Sequence, residues 1–374
     1  MSSLAWKNLF HDRVRLIVTL TGIVFSLVLI LVQFGLFLGF MDTSANIIAH
    51  GNADLWISAT GIPHVNAGAP IPERRRYQAL SVPGVARADR FLLQFNPWKL
   101  PSGSLEQVQV AGFDLDGGMG GPWNVTAGSV DDLRAEDAVM VDELYKTKLG
   151  VRAIGDTFEF NGRRARVVGF TRGIRSFTTS PYVFTSVKNG LNYSRVRGDQ
   201  TVFLLIKLAP GADIHEVQRQ LKRAVHGVDI YTAAELLAKT RFYWIVRTGA
   251  GITTLIGAFL GLIVGMVVVA QTIYAATVDH IREFGTLKAI GAGNLYVYRV
   301  IVEQALISAV MGYAVAIALG YLVARKSQSG NAAILLPPEM AAATLVLAVL
   351  MCAAASILSI RKATTIDPAL VFKG

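Results

Sequence analysis

Four long apolar segments constrain this chain of 374 residues more than any other feature. A helix of roughly 20 apolar residues is long enough to cross the hydrocarbon core of a bilayer. The first segment is too long for the apolar core of a signal peptide, so we interpret it as an uncleaved anchor. The sequence therefore predicts four transmembrane helices, at residues 16–40, 248–278, 300–324 and 340–360.

Lysine and arginine residues in the short flanking segments predict the orientation of these helices. Cytoplasmic flanks carry an excess of Lys and Arg, whereas long domains cross the membrane largely regardless of their charge. Arg325 and Lys326 are the basic residues of the only short loop on one side. The other side has many more: Lys7, Arg13, Arg15, Arg282, Lys288, Arg299, Arg361, Lys362 and Lys373. We therefore expect both termini to be cytoplasmic.

The predicted organisation follows from these spans. A cytoplasmic amphipathic segment at 1–15 precedes helix 16–40, and a large extracytoplasmic domain occupies 41–247. The remaining parts are helix 248–278, a cytoplasmic loop at 279–299, helix 300–324, a short outer loop at 325–339, helix 340–360 and a cytoplasmic tail at 361–374.

Composition excludes several classes of function. The chain has one cysteine, and its six histidines lack a metal-binding spacing, so we predict neither disulfides nor a metal site. It has no phosphate-binding loop motif, so any ATP would be bound by a partner protein. Of its net charge of +10, residues 42–247 hold +5, spread over about 200 residues, and the short flanks of the apolar segments hold much of the rest. This distribution indicates membrane topology rather than nucleic-acid binding.

Residues 41–247 predict an α+β domain. Apolar and polar residues alternate in 52–60, 105–113 and 201–210, as in half-buried strands. Residues 155–170 predict a hairpin that turns at Asn161-Gly162, because these residues suit the positive φ angles of a tight turn. Asp213 is placed to cap a helix that follows it. The fold class is therefore a four-helix membrane protein with a large α+β domain inserted between helices 1 and 2.

An enzymatic role for the inserted domain has little support. Polar groups of catalytic type occur in it, but nothing in the sequence brings them together, and solvated loop residues are the favoured interpretation. They are His64, Asp54, Asp114, Asp116 and Ser176. We predict no catalytic residues and no directly bound cofactor.

Small residues recur at four-residue spacing in three of the apolar segments, which allows close approach of helix backbones. The spacing fits either a sliding or dimerising interface, or ordinary packing within one chain. The second segment is the stronger candidate for movement. The residues are Gly257, Gly261 and Gly265, with Gly35 and Gly39 in the first segment and Gly312, Ala316 and Gly320 in the third.

The second apolar segment is longer than a bilayer requires. We expect one continuous helix from the domain through the membrane, which would form a rigid lever. The aromatic residues Phe242, Tyr243 and Trp244, together with Arg247, would mark the outer membrane interface.

Glu303 and Gln304 are the polar residues that stand out within the spans. A carboxylate in a span is a functional candidate by default. Glu303 lies near the end of its span, where it can pair with Arg299 one turn earlier, and we favour that structural role over proton relay. Four helices are few for a transport path, so a homodimer is the simpler working unit.

The stretch "VDHIREFGTLKAIGAG" (278–293) predicts a short amphipathic helix between the second and third spans. It resembles the loop signature of FtsX/MacB-type ABC transporter permeases. The amphipathic start at 4–23, the basic ending "RKATTIDPALVFKG" (361–374) and the order of spans are also similar to that family. Several stretches, such as "NADLWI" (52–57) and "IKLAPGAD" (206–213), look most like its DevC branch.

The resemblance implies a permease subunit that transmits ATP-driven movement without itself hydrolysing ATP. The short helix would be the coupling helix on a separate ATPase dimer, which would supply ATP and Mg. Its implied contacts are Arg282, Glu283, Phe284, Leu287, Lys288 and Ile290.

Other implied partners are a second copy of the chain, a periplasmic adaptor, an outer-membrane channel and membrane lipid. The implied location is the bacterial inner membrane, and the implied cargo is a lipid or another amphiphile. The alternative is an FtsX-like signalling protein that regulates a cell-wall hydrolase.

Overall fold

The computed structural model describes residues 6, 10, 13–178, 180–279, 286, 290, 293–328, 330 and 333–364. The chain forms two compact units. The membrane unit comprises Met1–Gly39, Gly251–Gln328 and Ala333–Gly374, and the inserted domain comprises Phe40–Ala250 with Ser329–Ala332.

Helices and strands are numbered here in chain order over the described residues. The helices are α1 (Arg13–Thr43), α2 (Asn46–Ala49), α3 (Arg74–Leu80), α4 (Lys146–Leu149), α5 (Val187–Tyr193), α6 (Ile214–Ala224), α7 (Ala233–Phe242), α8 (Ala250–Asp279), α9 (Asn294–Ser327) and α10 (Pro338–Thr364). The strands are β1 (Leu55–Ser58), β2 (Ile71–Pro72), β3 (Val85–Lys99), β4 (Leu105–Phe113), β5 (Val125–Ala127), β6 (Ala138–Asp142), β7 (Thr157–Phe160), β8 (Arg163–Thr171), β9 (Tyr182–Ser186), β10 (Gln200–Thr201), β11 (Phe203–Leu208) and β12 (Asp229–Thr232).

The predicted fold class is confirmed. Within the described residues, four helices are long and apolar enough to cross a membrane: α1, α8, α9 and α10. All the strands lie between α1 and α8, so the α+β domain is inserted after the first membrane helix. The buried centre of the membrane unit includes Ile23, Leu27, Val269, Ala309 and Met351, from all four helices.

The inserted domain is built on a large, mainly antiparallel sheet. In the described part of the chain its strand order is β12-β1-β11-β3-β4-β9-β6-β8-β5. Strand β7 pairs with both β3 and β8, so six strands form a closed ring of pairings around Trp98, Val110, Val141 and Phe160. Closure removes exposed strand edges in this part of the sheet.

The local predictions in the domain are confirmed. Phe160 pairs with Arg163 across the turn, where Asn161 and Gly162 have φ angles of 49° and 76°. The Asp213 side chain accepts hydrogen bonds from the backbone N–H groups of His215 and Glu216, both at 2.8 Å. Both features depend on adjacent residues, which explains why the sequence predicts them.

The expectation of one continuous helix from the domain through the membrane is wrong. Helix α7 ends at Phe242, and a π-helical turn spans Tyr243–Arg247. Gly249 then adopts a φ of 74°, a left-handed conformation that an α-helix cannot contain, and α8 begins at Ala250. The return connection from the domain to the membrane helices is therefore interrupted at one glycine.

Candidate functional sites in the membrane unit and the inserted domain

The glycine repeat of α8 faces α1 of the same chain. A Cβ atom on Gly257 would lie 2.9 Å from Gln33, one on Gly261 would lie 3.1 Å from Leu29, and one on Gly265 would lie 2.5 Å from Ser26. Residue numbers rise along α8 as they fall along α1, so the two helices run antiparallel. The glycines permit this approach because an added Cβ would press against α1 side chains, most closely at Gly265.

Helix α9 packs on a different face of α1. A Cβ on Gly312 would lie 2.4 Å from Ile23, and one on Gly320 would lie 3.1 Å from Leu31. The residue numbers of these contacts increase in the same direction along both helices, so α9 runs parallel to α1. Helix α1 thus contacts both α8 and α9, on different faces.

The glycines near the end of α1 have a different kind of partner. Gly35 and Gly39 face the extended segment 333–337 rather than another helix. A Cβ on Gly39 would lie 1.8 Å from the Ala333 carbonyl oxygen, and the Leu335 N–H donates to the Gly35 carbonyl at 3.1 Å. Non-helical backbone is tolerated within a membrane protein where the protein itself buries it, and Ile334 is buried.

The structure places Glu303 in an ion pair. The Arg299 Nε lies 3.1 Å from the Glu303 Oε1, one helical turn away. The Glu303 side chain is 16% exposed and that of Arg299 is 68% exposed, so the arginine brings charge to a mostly covered carboxylate. Gln304 is half-buried beside it. The pairing of Glu303 with Arg299 that the sequence suggests is therefore present.

The predicted coupling residues Arg282, Glu283, Phe284, Leu287 and Lys288 lie outside the described residues. Two nearby positions are described. The Ile290 N–H donates to the Thr286 carbonyl at 3.0 Å, and Ile290 is 80% exposed. An exposed apolar side chain at this position is available to a partner surface.

An aromatic cluster lies within the inserted domain where its chain begins and ends. The ring of Phe177 contacts those of Phe40 and Trp244, with centroids 4.3 and 4.6 Å apart. His64 contacts Tyr243 and Trp244 at 4.4 and 4.8 Å. Burial lowers the pKa of the His64 imidazole below its usual value, so the neutral ring is favoured in this apolar setting.

The three aspartates among the polar groups considered for catalysis each pair with a different basic residue. Asp114 pairs with Arg90 at 3.3 Å, and Asp116 pairs with Arg134 at 2.7 Å. Asp54 pairs with Lys207. Ser176 and His64 belong to one hydrogen-bonded chain, because Gln109 donates to the Ser176 hydroxyl, Asn66 donates to Gln109, and Asn66 also hydrogen-bonds His64. Within the described residues, no group of three or more His, Cys, Asp or Glu side chains is placed to hold a metal ion.

Sequence reasoning missed two features of the membrane unit. One is the contact of segment 333–337 with α1, for which Pro337-Pro338 was the available signal, because two prolines cannot continue a helix. The other is an apolar groove between α1 and α10, with Glu339 at its rim. The run Ala341–Ala343 was a signal for it, because small side chains leave space between helices.

Comparisons with known proteins identify the class. The family model of the MacB-like periplasmic core domain matches residues 16–224, and that of the FtsX-like permease C-terminal region matches residues 242–368. The chain therefore belongs to the MacB/FtsX-type family of ABC transporter permeases. Permeases of this family imply a partner ATPase, and they are typically non-catalytic.

Several curated relatives match along almost their whole length. An uncharacterized ABC transporter permease of Mycobacterium tuberculosis is 23% identical over 381 residues, which cover 99% of each chain. Another, from Mycobacterium bovis, is 24% identical over 366 residues, covering 96% of each chain. One from Methanocaldococcus jannaschii is 26% identical over 179 residues, or 46% of this chain and 43% of that one.

Two solved structures of extracytoplasmic domains each match about half of this chain. The periplasmic region of MacB from Actinobacillus actinomycetemcomitans matches with a TM-score of 0.40 and 14% identity, covering 50% of this chain and 92% of that one. The extracellular domain of the noncanonic ABC-type transporter YknZ from Gram-positive bacteria matches with a TM-score of 0.36 and 10% identity, covering 48% and 100%.

Proposed function

We propose that this chain is the membrane subunit of an ABC exporter and transmits ATP-driven movement from a separate ATPase to its inserted domain. The observation that carries the proposal is the contrast between two backbone connections. Helix α1 runs unbroken from Arg13 to Thr43, whereas the return connection is interrupted at Gly249. A continuous helix transmits displacement, and a left-handed glycine permits the backbone to change direction.

The coupling helix would lie in the stretch 278–293. Arg282, Glu283 and Lys288 would make polar contacts with the ATPase, and Phe284, Leu287 and Ile290 would supply apolar contacts. Exposure of Ile290 supports this assignment. The chain would bind no nucleotide itself, and the ATPase dimer would hold ATP and Mg. Because each ATPase needs a membrane partner, two copies of this chain would form the working unit.

The wider assembly follows from the proposed export role. The chain would lie in the bacterial inner membrane with both termini in the cytoplasm and the inserted domain in the periplasm. A periplasmic adaptor and an outer-membrane channel would complete a DevC-like tripartite pump, with a lipid or another amphiphile as its cargo. Positive residues beside the membrane helices support this orientation.

Charge reversal in the coupling helix tests the central proposal. Glu283→Lys and, separately, Lys288→Glu should weaken the complex with the cognate ATPase about tenfold or more, because each leaves a partner charge unpaired. The readouts are co-purification and ATP turnover of the complex in nanodiscs. Arg325→Glu with Lys326→Glu is the matched control, because these residues would lie on the opposite side. Normal assembly and turnover in both coupling variants would contradict the proposal.

Cysteine labelling tests the orientation independently. Cys352 is the only cysteine, so a Cys352→Ser chain provides an unlabelled background. Thr286→Cys should react with a membrane-impermeant maleimide only after permeabilisation, whereas Ser102→Cys should react in intact spheroplasts. Both positions are exposed in the structure. The reverse pattern would place the inserted domain in the cytoplasm and exclude an export role of this kind.

A further inference from the structure

An apolar groove runs between helices α1 and α10 of the membrane unit. Its cavity volume is about 390 Å³, and among the lining residues that the structure describes, every one except Glu339 lacks an ionisable side chain. The lining residues are Ile30, Phe34, Leu38, Pro337, Glu339, Met340, Ala343, Thr344 and Leu347. The single polar hydroxyl, that of Thr344, donates to the Met340 carbonyl at 2.8 Å and so is already satisfied.

The end of the groove is a built feature rather than a chance gap. Segment 333–337 lies across α1. Gly35 and Gly39 allow it to lie this close because they have no side chains. Pro337 from this segment forms one wall of the groove, and Ala343, one turn into α10, leaves the space that a larger side chain would fill. The shape therefore depends on specific small residues and on a hydrogen-bonded extended segment.

The dimensions fit one hydrocarbon chain within one leaflet. The lining spans eight residue steps on each helix, Ile30 to Leu38 and Glu339 to Leu347, which is about 12 Å of helix. Half of a hydrocarbon core is about 15 Å. Because a cavity of about 150 Å³ accommodates benzene, a groove of this volume has room for part of one hydrocarbon chain.

Glu339 indicates the headgroup that such a chain would carry. Its side chain is exposed at the rim, and it forms no ion pair with any residue that the structure describes. Helix α10 begins one residue earlier, at Pro338, so the carboxylate lies at a helix N-terminus, where negative charge is favourable. A carboxylate in that position pairs with an ammonium group and repels a net anionic headgroup.

We propose that the groove between α1 and α10 binds one acyl chain of an amine-bearing membrane phospholipid, whose ammonium group contacts Glu339. The groove lies among membrane-spanning helices, so its surroundings are lipid and an apolar lining excludes water. The site needs neither ATP nor an export cargo, and it is therefore independent of the proposed transport role.

Photolabelling of the full chain in nanodiscs tests this site. The nanodiscs contain equal amounts of phosphatidylethanolamine and phosphatidylglycerol, with a trace of phosphatidylethanolamine that has a diazirine in its acyl chain. No ATPase or nucleotide is present, so failure here is distinguishable from failure of the coupling proposal. Adducts should concentrate in peptides that cover 30–38 and 337–347.

Two substitutions of equal size provide the decisive comparison. Ala343→Phe fills the groove and should lower these adducts at least about fivefold, since the chain loses its cavity. Ala342→Phe adds the same atoms at an exposed neighbour outside the lining and should leave them unchanged. Ala343→Leu is the milder variant if the phenylalanine impairs folding. Equal labelling of the Ala343 and Ala342 variants would overturn the proposal.

The headgroup is tested with Glu339→Gln, which removes the charge and keeps the shape. It should lower the preference for labelled phosphatidylethanolamine over labelled phosphatidylglycerol about two- to fivefold, the range expected for an exposed ion pair. An unchanged preference would overturn the assignment to Glu339. Crosslinking of Leu347→Cys between two copies, with no lipid adducts, would show that a second copy occupies the groove and would also overturn the proposal.

Discussion

Glycines of two membrane helices have the same four-residue spacing, but Gly39 has a different kind of neighbour from the glycines of α8. Gly257, Gly261 and Gly265 of α8 face side chains of α1, whereas Gly39 of α1 faces a backbone carbonyl. A side chain can rotate away from an added methyl group, but a carbonyl moves only with its chain. Glycines with identical spacing therefore differ in how well they tolerate substitution. The atoms that each glycine contacts, rather than the spacing, determine how much stability a substitution costs.

Gly39→Ala should have the largest effect. Its Cβ would lie 1.8 Å from the Ala333 oxygen and 2.9 Å from the Ala333 carbonyl carbon. Segment 333–337 must then move away from α1, at a cost of about 3 kcal/mol or more, the upper range for overpacking. Thermal unfolding of the purified protein in one detergent measures the loss.

Shortening the side chain of Ala333, the residue that Gly39 faces, tests whether the backbone carbonyl causes this loss. Ala333→Gly should not rescue Gly39→Ala, because the colliding carbonyl remains. A stability of Gly39→Ala close to that of the unaltered protein would show that the segment moves freely, and it would remove the contrast between the two glycine sets.

Gly265→Ala should have an intermediate effect. Its Cβ would lie 2.5 Å from the Cβ of Ser26 and 3.1 Å from the sulfur of Met351. The Cβ of Ser26 is fixed to its backbone, so α1 and α8 must separate slightly, at a cost of about 1–3 kcal/mol. In the same thermal unfolding assay, we expect this variant to lose less stability than Gly39→Ala.

Here a rescue is expected, unlike at Gly39. Ser26→Gly removes the colliding atom and should recover much of the loss in the double variant, whereas Ser26→Ala keeps the Cβ and should not. This double-mutant comparison isolates the contact between the two residues. Equal behaviour of the two Ser26 variants would show that the cost arises elsewhere.

Features that depend on neighbouring residues could be predicted from the sequence, and features that depend on distant ones could not. The four apolar segments, the turn at Asn161-Gly162 and the Arg299–Glu303 pair are local patterns. The closed ring through β7 and the contact of Leu335 with Gly35 join distant residues, and no spacing encodes them. The interruption at Gly249 had a local signal, but a glycine within an apolar segment is also compatible with a helix.

The same distinction applies to the candidate site. The glycine spacing predicts that helix backbones approach closely, but it does not predict which element each glycine contacts. Only the structure assigns the α8 glycines to α1 and the α1 glycines to an extended segment. The sequence did not single out Glu339, because its proposed role depends on the groove beside it. That groove forms between two helices that are distant in the sequence.

Gly261→Ala should have the smallest effect on stability, and whether it raises or lowers stability is informative. The added Cβ would lie 3.1 Å from the Cδ2 of Leu29 and 3.2 Å from its Cγ. Both atoms move when the flexible Leu29 side chain rotates, and a shift of a few tenths of an ångström is enough to relieve the contact. Alanine also favours a helix over glycine by about 1 kcal/mol, because it restricts the unfolded backbone. The two terms nearly cancel, so we expect unchanged or slightly raised stability in the unfolding assay. A loss as large as that of Gly39→Ala would mean that α1 and α8 cannot adjust even at a side-chain contact, and the distinction between backbone and side-chain neighbours would then not explain how this membrane unit packs.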